Sequence, residues 1–137
     1  MKVHHIGYLV QSIEDSCRDF QKLGYQIKSD TTFDDARKIF IRFLENITSA
    51  SSEGGGYVIE LIEPSEGCTL FSKAMKKFGT MPYHICYECN NIDEKISELR
   101  DAGFILIREP QIAPAIQNRR VAFMYSESTG QIELLEG

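Results

Sequence analysis

His5-Ile6-Gly7-Tyr8 returns as His84-Ile85-Cys86-Tyr87, an offset of 79 in a chain of 137 residues. The same offset carries Ile13, Cys17, Phe20 and Leu23 onto Ile92, Ile96, Leu99 and Ala102. Steps of three and four put each set on one apolar stripe, so the spacing predicts helices over 13–23 and 92–102. Both open on a capping pattern, Ser12-x-x-Asp15 and Asn91-x-x-Glu94, whose first side chain can accept from an otherwise unpaired amide. Both stop at a glycine, Gly24 and Gly103, suited to the left-handed backbone that ends a helix. A single ferredoxin-like α+β domain would account for the helices, but not for the two I-E-L-[IL]-E strand ends at Ile59 to Glu63 and Ile132 to Glu136.

The correspondence continues with altered loops. Tyr25-Gln26-Ile27 answers Phe104-Ile105-Leu106, Arg37-Lys38-Ile39-Phe40-Ile41 answers Arg119-Arg120-Val121-Ala122-Phe123, and Ile59-Glu60-Leu61-Ile62-Glu63 answers Ile132-Glu133-Leu134-Leu135-Glu136. The last pair is 73 apart, so the first half carries a net six extra residues, assigned to a Ser- and Gly-rich loop at Asn46 to Gly56. Each half reads strand, helix, strand, strand, strand. The expected organisation is one α+β domain over 1–137: module one 1–63, a linker 64–81, and module two 82–137. The linker is expected to hold a short helix with Leu70, Phe71, Ala74, Met75 and Phe78 on one side and a solvated Lys73, Lys76 and Lys77 on the other.

Composition narrows the function classes. Fifteen basic against 20 acidic residues give a net charge of −5 with the basic residues scattered, which argues against nucleic acid as a partner. The apolar runs fall short of the roughly 18 residues a spanning helix needs, and Met1-Lys2-Val3 leads straight into patterned sequence. A cytoplasmic protein with no membrane partner is expected. Cys86 and Cys89 lie three apart on a predicted strand and so on opposite faces, which makes a shared metal or disulfide unfavourable; Cys17 and Cys68 are placed on a helix face and in the linker. All four are read as reduced thiols.

His5 and His84 hold equivalent places on the first strand of each half, and Glu60 and Glu133 equivalent places on the last. An ionised carboxylate flanked by Ile and Leu on a sheet is costly to bury unless it is paired or binds a cation. A lone strand histidine or glutamate would carry no such reading; four related by the repeat point to a divalent site of two imidazoles and two carboxylates. His4 corresponds to Tyr83 and is expected on the opposite sheet face. Glu63 and Glu136, at odd separation from Glu60 and Glu133, are expected to be solvated on that opposite face too.

With these motifs the chain resembles the vicinal oxygen chelate superfamily, above all single-domain glyoxalase I (lactoylglutathione lyase) and methylmalonyl-CoA epimerase. The resemblance implies two βαβββ modules forming a half-open barrel around one divalent ion, with His5, Glu60, His84 and Glu133 as ligands. Ni, Co, Zn or Mn suits this donor set, leaving two positions for water or substrate oxygens. It further implies a lyase or isomerase that moves a proton next to a carbonyl through an enediolate, with Glu133 or Glu60 as the base. Glyoxalase I acting on a glutathione hemithioacetal is the first expectation, because Glu60 stands where epimerases often carry Gln; an epimerase acting on an acyl-CoA is the alternative. A non-catalytic binding or antibiotic-resistance protein on the same fold is the reading of another class. Asp34 and Asp35 are alternative bases or a solvated loop. Asn118 and Arg119, after a Glu109–Gln117 segment read as a lid or a plain connection, are candidate substrate contacts. A homodimer is expected, since modules of this size leave sheet edges to cover.

Overall fold

The computed structural model describes residues 1–46 and 56–137, so most of the expected 46–56 loop lies outside the described residues. In chain order the elements are β1 (Lys2–Leu9), α1 (Ile13–Lys22), β2 (Tyr25–Ile27), β3 (Thr32–Asp34), β4 (Ile39–Asn46), β5 (Tyr57–Pro64), α2 (Ser72–Phe78), β6 (Met81–Cys89), α3 (Ile92–Asp101), β7 (Ile105–Ala113), a 3-10 turn (Pro114–Ile116), β8 (Arg119–Ser126) and β9 (Gly130–Glu136). The class is α+β with mixed strand pairing, as the repeat predicts. No described helix is long and apolar enough to cross a membrane. The chain forms two compact units, residues 6–82 and residues 1–5 with 83–137, so β1 gives its first residues to one and its last to the other.

In the unit of residues 6–82, β5 runs parallel to β1 with Ile6 opposite Ile59, Gly7 opposite Glu60 and Tyr8 opposite Leu61. β4 lies antiparallel on β5, and β2 and β3 both pair with β4. Helix α1 starts because Ser12 accepts from the Asp15 amide at 3.2 Å and ends at Gly24, φ 96°. Its stripe packs Ile13 and Cys17 with Val10, Leu44, Ile59 and Leu61.

The unit of residues 1–5 and 83–137 repeats this register. β9 runs parallel to β6 with Ile85 opposite Ile132, Cys86 opposite Glu133 and Tyr87 opposite Leu134, and β8 and β7 follow antiparallel. Asn91 accepts from the Asp93 and Glu94 amides, both at 3.1 Å, and Gly103 ends α3 at φ 98°. Ile92 and Ile96 pack with Cys89, Ala122, Met124, Ile132 and Leu134.

Five details depart from the sequence reading. Phe43 stands opposite Glu60 and Phe123 opposite Glu133, so β4 and β8 correspond at an offset of 80, and residues 39–43, not 37–41, answer 119–123. A slip of two keeps every side chain on its face, so the apolar pattern alone does not reveal it. The outer strand of the first module is broken into β2 and β3, where the second module keeps one strand with two register shifts. Residues 109–113 belong to β7, so most of the expected Glu109–Gln117 lid is edge strand, where Pro110 is tolerated. Helix α2 forms, yet its apolar side is only partly covered: Ala74 and Met75 are half-buried, Leu70 is 45 % and Phe78 60 % exposed, and Phe71 before the helix is buried. Asp34 is buried against Arg37, whose backbone N–H donates to Oδ1 at 3.1 Å and whose Nε lies 2.8 Å from Oδ2 as an ion pair, which makes it a turn staple; Asp35 is exposed.

Glu63 and Glu136 do face away from Glu60 and Glu133, but they are engaged. The amide of Ile13 donates to Glu63 Oε1 at 2.8 Å and that of Ile92 to Glu136 Oε1 at 3.3 Å, so each module ties its helix start to its last strand. A carboxylate there also meets the positive end of the helix dipole. Glu63→Ala is expected to cost roughly 1–2 kcal/mol by urea unfolding, because it orphans a half-buried amide, and Glu63→Gln, which keeps an acceptor, less. Equal stability of Glu63→Ala and the parent protein would refute the anchor. For Glu136, the Arg120 guanidinium and then the Ile92 amide hold the carboxyl below its ordinary value of 4.5 against the effect of burial. A depressed carboxylate stabilises above that value and loses its contribution as pH falls through the folded one. Urea midpoints are therefore expected to fall less below pH 4.5 in Glu136→Gln than in the parent, by a small margin for so exposed a pair.

Candidate metal centre

Five polar or charged residues are buried among the described residues, none more than 5 % exposed: His5, Asp34, Glu60, His84 and Glu133. Asp34 has its arginine; the other four are those singled out by the repeat. In β6, alternation sends His84 and Cys86 to one face while Cys89 joins the helix-side core. In β9 it sends Glu133 to that face between Cys86 and Phe123.

Three of these residues lie in the unit of residues 1–5 and 83–137, and their polar atoms converge. Glu133 Oε2 is 3.2 Å from His5 Nε2 and 2.9 Å from His84 Nε2, and the two Nε2 atoms are 3.3 Å apart. Despite these approaches Glu133 Oε2 has no hydrogen bond of normal geometry, which for a buried carboxylate oxygen is costly. Nitrogen and oxygen ligands about 2.1 Å from a cation stand about 3.0 Å apart when cis in an octahedron and about 3.4 Å in a tetrahedron. The three edges fall within or beside that range. Burial would raise the Glu133 carboxyl, but the neighbouring His84 and His5 imidazoles overcome it and hold the carboxyl well below the usual carboxylate range. The group stays ionised.

Aromatic edges set the His84 ring. Phe123 meets it edge-on at 5.4 Å and Tyr83 at 5.6 Å, while the Tyr83 hydroxyl donates to Gln131 Oε1 at 3.3 Å. The donor set of imidazole and carboxylate fits Ni²⁺, Co²⁺, Zn²⁺ or Mn²⁺ and is too hard for a metal that prefers thiolates.

Glu60, in the unit of residues 6–82, is buried in β5 with Phe43 across from it on β4 and Gly7 across from it on β1. It thus holds, in its own unit, the register position that Glu133 holds between Phe123 and Cys86.

The two candidate substrate contacts, Asn118 and Arg119, lie at the turn into β8. Asn118 sits in a left-handed turn, φ 57°, its amide bonded to the Ala113 carbonyl at 3.1 Å. Arg119 donates from Nε to the Glu136 carbonyl at 2.7 Å and from Nη2 to Glu88 at 2.8 Å, so these donors brace β6, β8 and β9. His4 was missed. Neighbours on a strand ordinarily point apart, yet its Nδ1 lies 2.8 Å from His5 Nδ1. Burial, and then His5 and Arg119, lower its pKa from 6.5, with Glu88 and Glu133 pulling the other way. Only the repeated His-His at the chain start could have signalled it, and Tyr83 at the equivalent place hid the signal.

Comparison with known proteins adds the family. The chain superposes on a hypothetical protein from Bacillus halodurans C-125 with TM-score 0.81 and 28 % identity, covering 99 % of this chain and 94 % of that one. It superposes on methylmalonyl-CoA epimerase of Streptomyces coelicolor, a variant in complex with 2-nitronate-propionyl-CoA, with TM-score 0.80 and 20 % identity over 100 % and 97 % of the two chains. For methylmalonyl-CoA epimerase from Mycobacterium tuberculosis the values are 0.79 and 22 % over 98 % and 86 %. Comparison with curated protein sequences gives no match. The sequence profile of one family matches residues 4–123, nearly the whole repeat with His4, His5, Glu60 and His84 inside it. The chain belongs to the glyoxalase/bleomycin resistance protein/dioxygenase superfamily.

Proposed function

We propose that this chain is a metal-dependent enzyme that moves a proton on the carbon beside a carbonyl, with an acyl-CoA thioester as substrate and epimerisation as the outcome. The observation that carries the reading is the approach of His5 Nε2, His84 Nε2 and Glu133 Oε2 to within 3.3 Å of one another, with the carboxylate oxygen left without a well-formed hydrogen bond. The sequence repeat adds Glu60, equivalent to Glu133 in register, as the second carboxylate of a proposed set of two imidazoles and two carboxylates for one divalent ion, Ni, Co, Zn or Mn. A divalent ion so held supplies Lewis acidity to the substrate carbonyl and to the charge that develops as the neighbouring proton leaves. The proton itself is the work of the chain: Glu133 or Glu60 takes it from carbon and returns it. Phe123 and Phe43, each directly opposite one carboxylate, exclude water beside the base.

The acyl-CoA assignment is supported by the epimerases on which the chain superposes. One observation favours a second reading, a glyoxalase I-like lyase acting on a glutathione hemithioacetal: Glu60 is a carboxylate where the resemblance expects Gln in epimerases. The homodimer stays part of the proposal, because Ile105 and Ile107 of the edge strand β7, with Tyr125 opposite Ile105 on β8, leave apolar surface exposed that a second copy would cover.

Metal-reconstituted protein, assayed in parallel, is expected to exchange the α-proton of methylmalonyl-CoA with solvent deuterium and to leave the methylglyoxal–glutathione hemithioacetal largely unchanged. The reverse selects the lyase. Metal binding with activity on neither substrate rejects both assignments, and no retained metal by elemental analysis after growth with Ni²⁺, Co²⁺ or Zn²⁺ would favour a binding protein instead. Two variants separate ligand from base. His84→Ala is expected to weaken cation binding at least about tenfold, some 1.4 kcal/mol, with part of the activity returning in excess Co²⁺. Glu133→Gln is expected to keep more metal and lose roughly 10²-fold or more in proton exchange, with no rescue by added cation. Loss and rescue that run in parallel in the two variants would refute the division of roles.

A further inference from the structure

His4 is the polar neighbour of the cluster that the proposed chemistry leaves unused. Its Nδ1 lies 2.8 Å from Nδ1 of His5, and the two rings meet edge to face at 79° with centroids 5.1 Å apart. Two ring nitrogens at that distance share one proton: two hydrogens would collide and two lone pairs would repel. The other nitrogen of His5, Nε2, is the one that lies 3.2 Å from Glu133 Oε2 and 3.3 Å from His84 Nε2. A neutral imidazole that offers Nε2 as a lone pair carries its proton on Nδ1.

Resting on the metal-site reading above, we infer that His4 is a positioning residue for His5: His4 Nδ1 accepts the Nδ1–H of His5 and holds it in the tautomer that turns the Nε2 lone pair to the cation. Metal-binding histidines commonly direct their second N–H to such an acceptor, which fixes ring orientation and raises ligand basicity. Two other arrangements fit less well. The ligand atoms of His4, His5 and Cys86 lie within 4.8 Å of one another, which would allow a second cation. Yet such a cation would take Nδ1 of His5 while Nε2 of the same ring faces the proposed site, and a neutral imidazole keeps a proton on one of its two nitrogens. Cys86 sulfur as the acceptor is the other, but sulfur accepts weakly and the nitrogen is at full bonding distance.

The two halves differ here. Tyr83 holds the place of His4 beside His84, and its hydroxyl turns to Gln131.

The test compares His4→Asn, whose side-chain oxygen can stand in for Nδ1, with His4→Phe, which keeps a ring and removes the acceptor. Co²⁺ titrations of the metal-free proteins, followed by d–d absorption and with folding checked by circular dichroism, give affinity and ligand field independently of turnover. His4→Phe is expected to bind Co²⁺ about 10–100-fold more weakly with a shifted spectrum, and His4→Asn within about threefold of the parent with the parent spectrum. If His4→Phe does not fold, His4→Leu serves the same comparison. Parent-like affinity and spectrum in the acceptor-free variant overturn the inference, and so does an Asn variant that loses as much as the Phe one. A parent protein that binds no Co²⁺ removes the metal site and this inference together, whereas a parent that binds while His4→Phe is unchanged removes this inference alone.

Discussion

The parallel pairing of β6 with β9, in the register that sets Cys86 opposite Glu133, is the constraint on which the centre depends. Side chains on a strand alternate, so sliding β9 by one residue would send Glu133 into the apolar layer of Ile92, Ile96 and Met124 and bring Leu134 to His84. The apolar alternation resists that slip: Ile132 and Leu134 are buried beneath α3, and a charged residue in their place would lose hydration with no partner. The polar cluster is thus held in position by the burial of its neighbours, and the same holds for Glu60 between Ile59 and Leu61 over α1.

Much of this could be read before any coordinates. The helices, their caps and their glycine stops are local features written in residues at fixed spacing, and Ser12, Asn91, Gly24 and Gly103 act as their chemistry requires. The repeat marked His5, Glu60, His84 and Glu133 because chance does not preserve polar residues in apolar strands at matching places. What stayed hidden depends on long-range geometry. The break between β2 and β3, and the continuation of β7 through residues 109–113, are decided by a partner strand distant in sequence. Period-two patterns cannot distinguish a slip of two, which is why β4 and β8 align at 80 and not 82. His4 escaped because alternation describes where Cβ points, and a histidine ring can reach back past it.

The pairs Glu60 with Glu63 and Glu133 with Glu136 show how closely the strands are used. Odd spacing sends the members of each pair to opposite faces, the first toward the polar face and the second to the amide that begins a helix. The helix packs against the same strand, so one short segment, I-E-L-[IL]-E, sets a candidate ligand, a core layer and a helix start.

This triple use has an evolutionary consequence. A strand whose two faces are both committed tolerates neither insertion nor deletion, because a single added residue would exchange the two glutamates' surroundings. For these last strands, change in length falls to the connections that lead into them. The β8–β9 turn needs only Glu127 to Thr129, while the β4–β5 connection spans residues 47–56, so the two copies have diverged in connection length while their strand ends kept pace. New substrate preference in a descendant of this chain is therefore most readily gained by rewriting connections, with the polar cluster inherited unchanged.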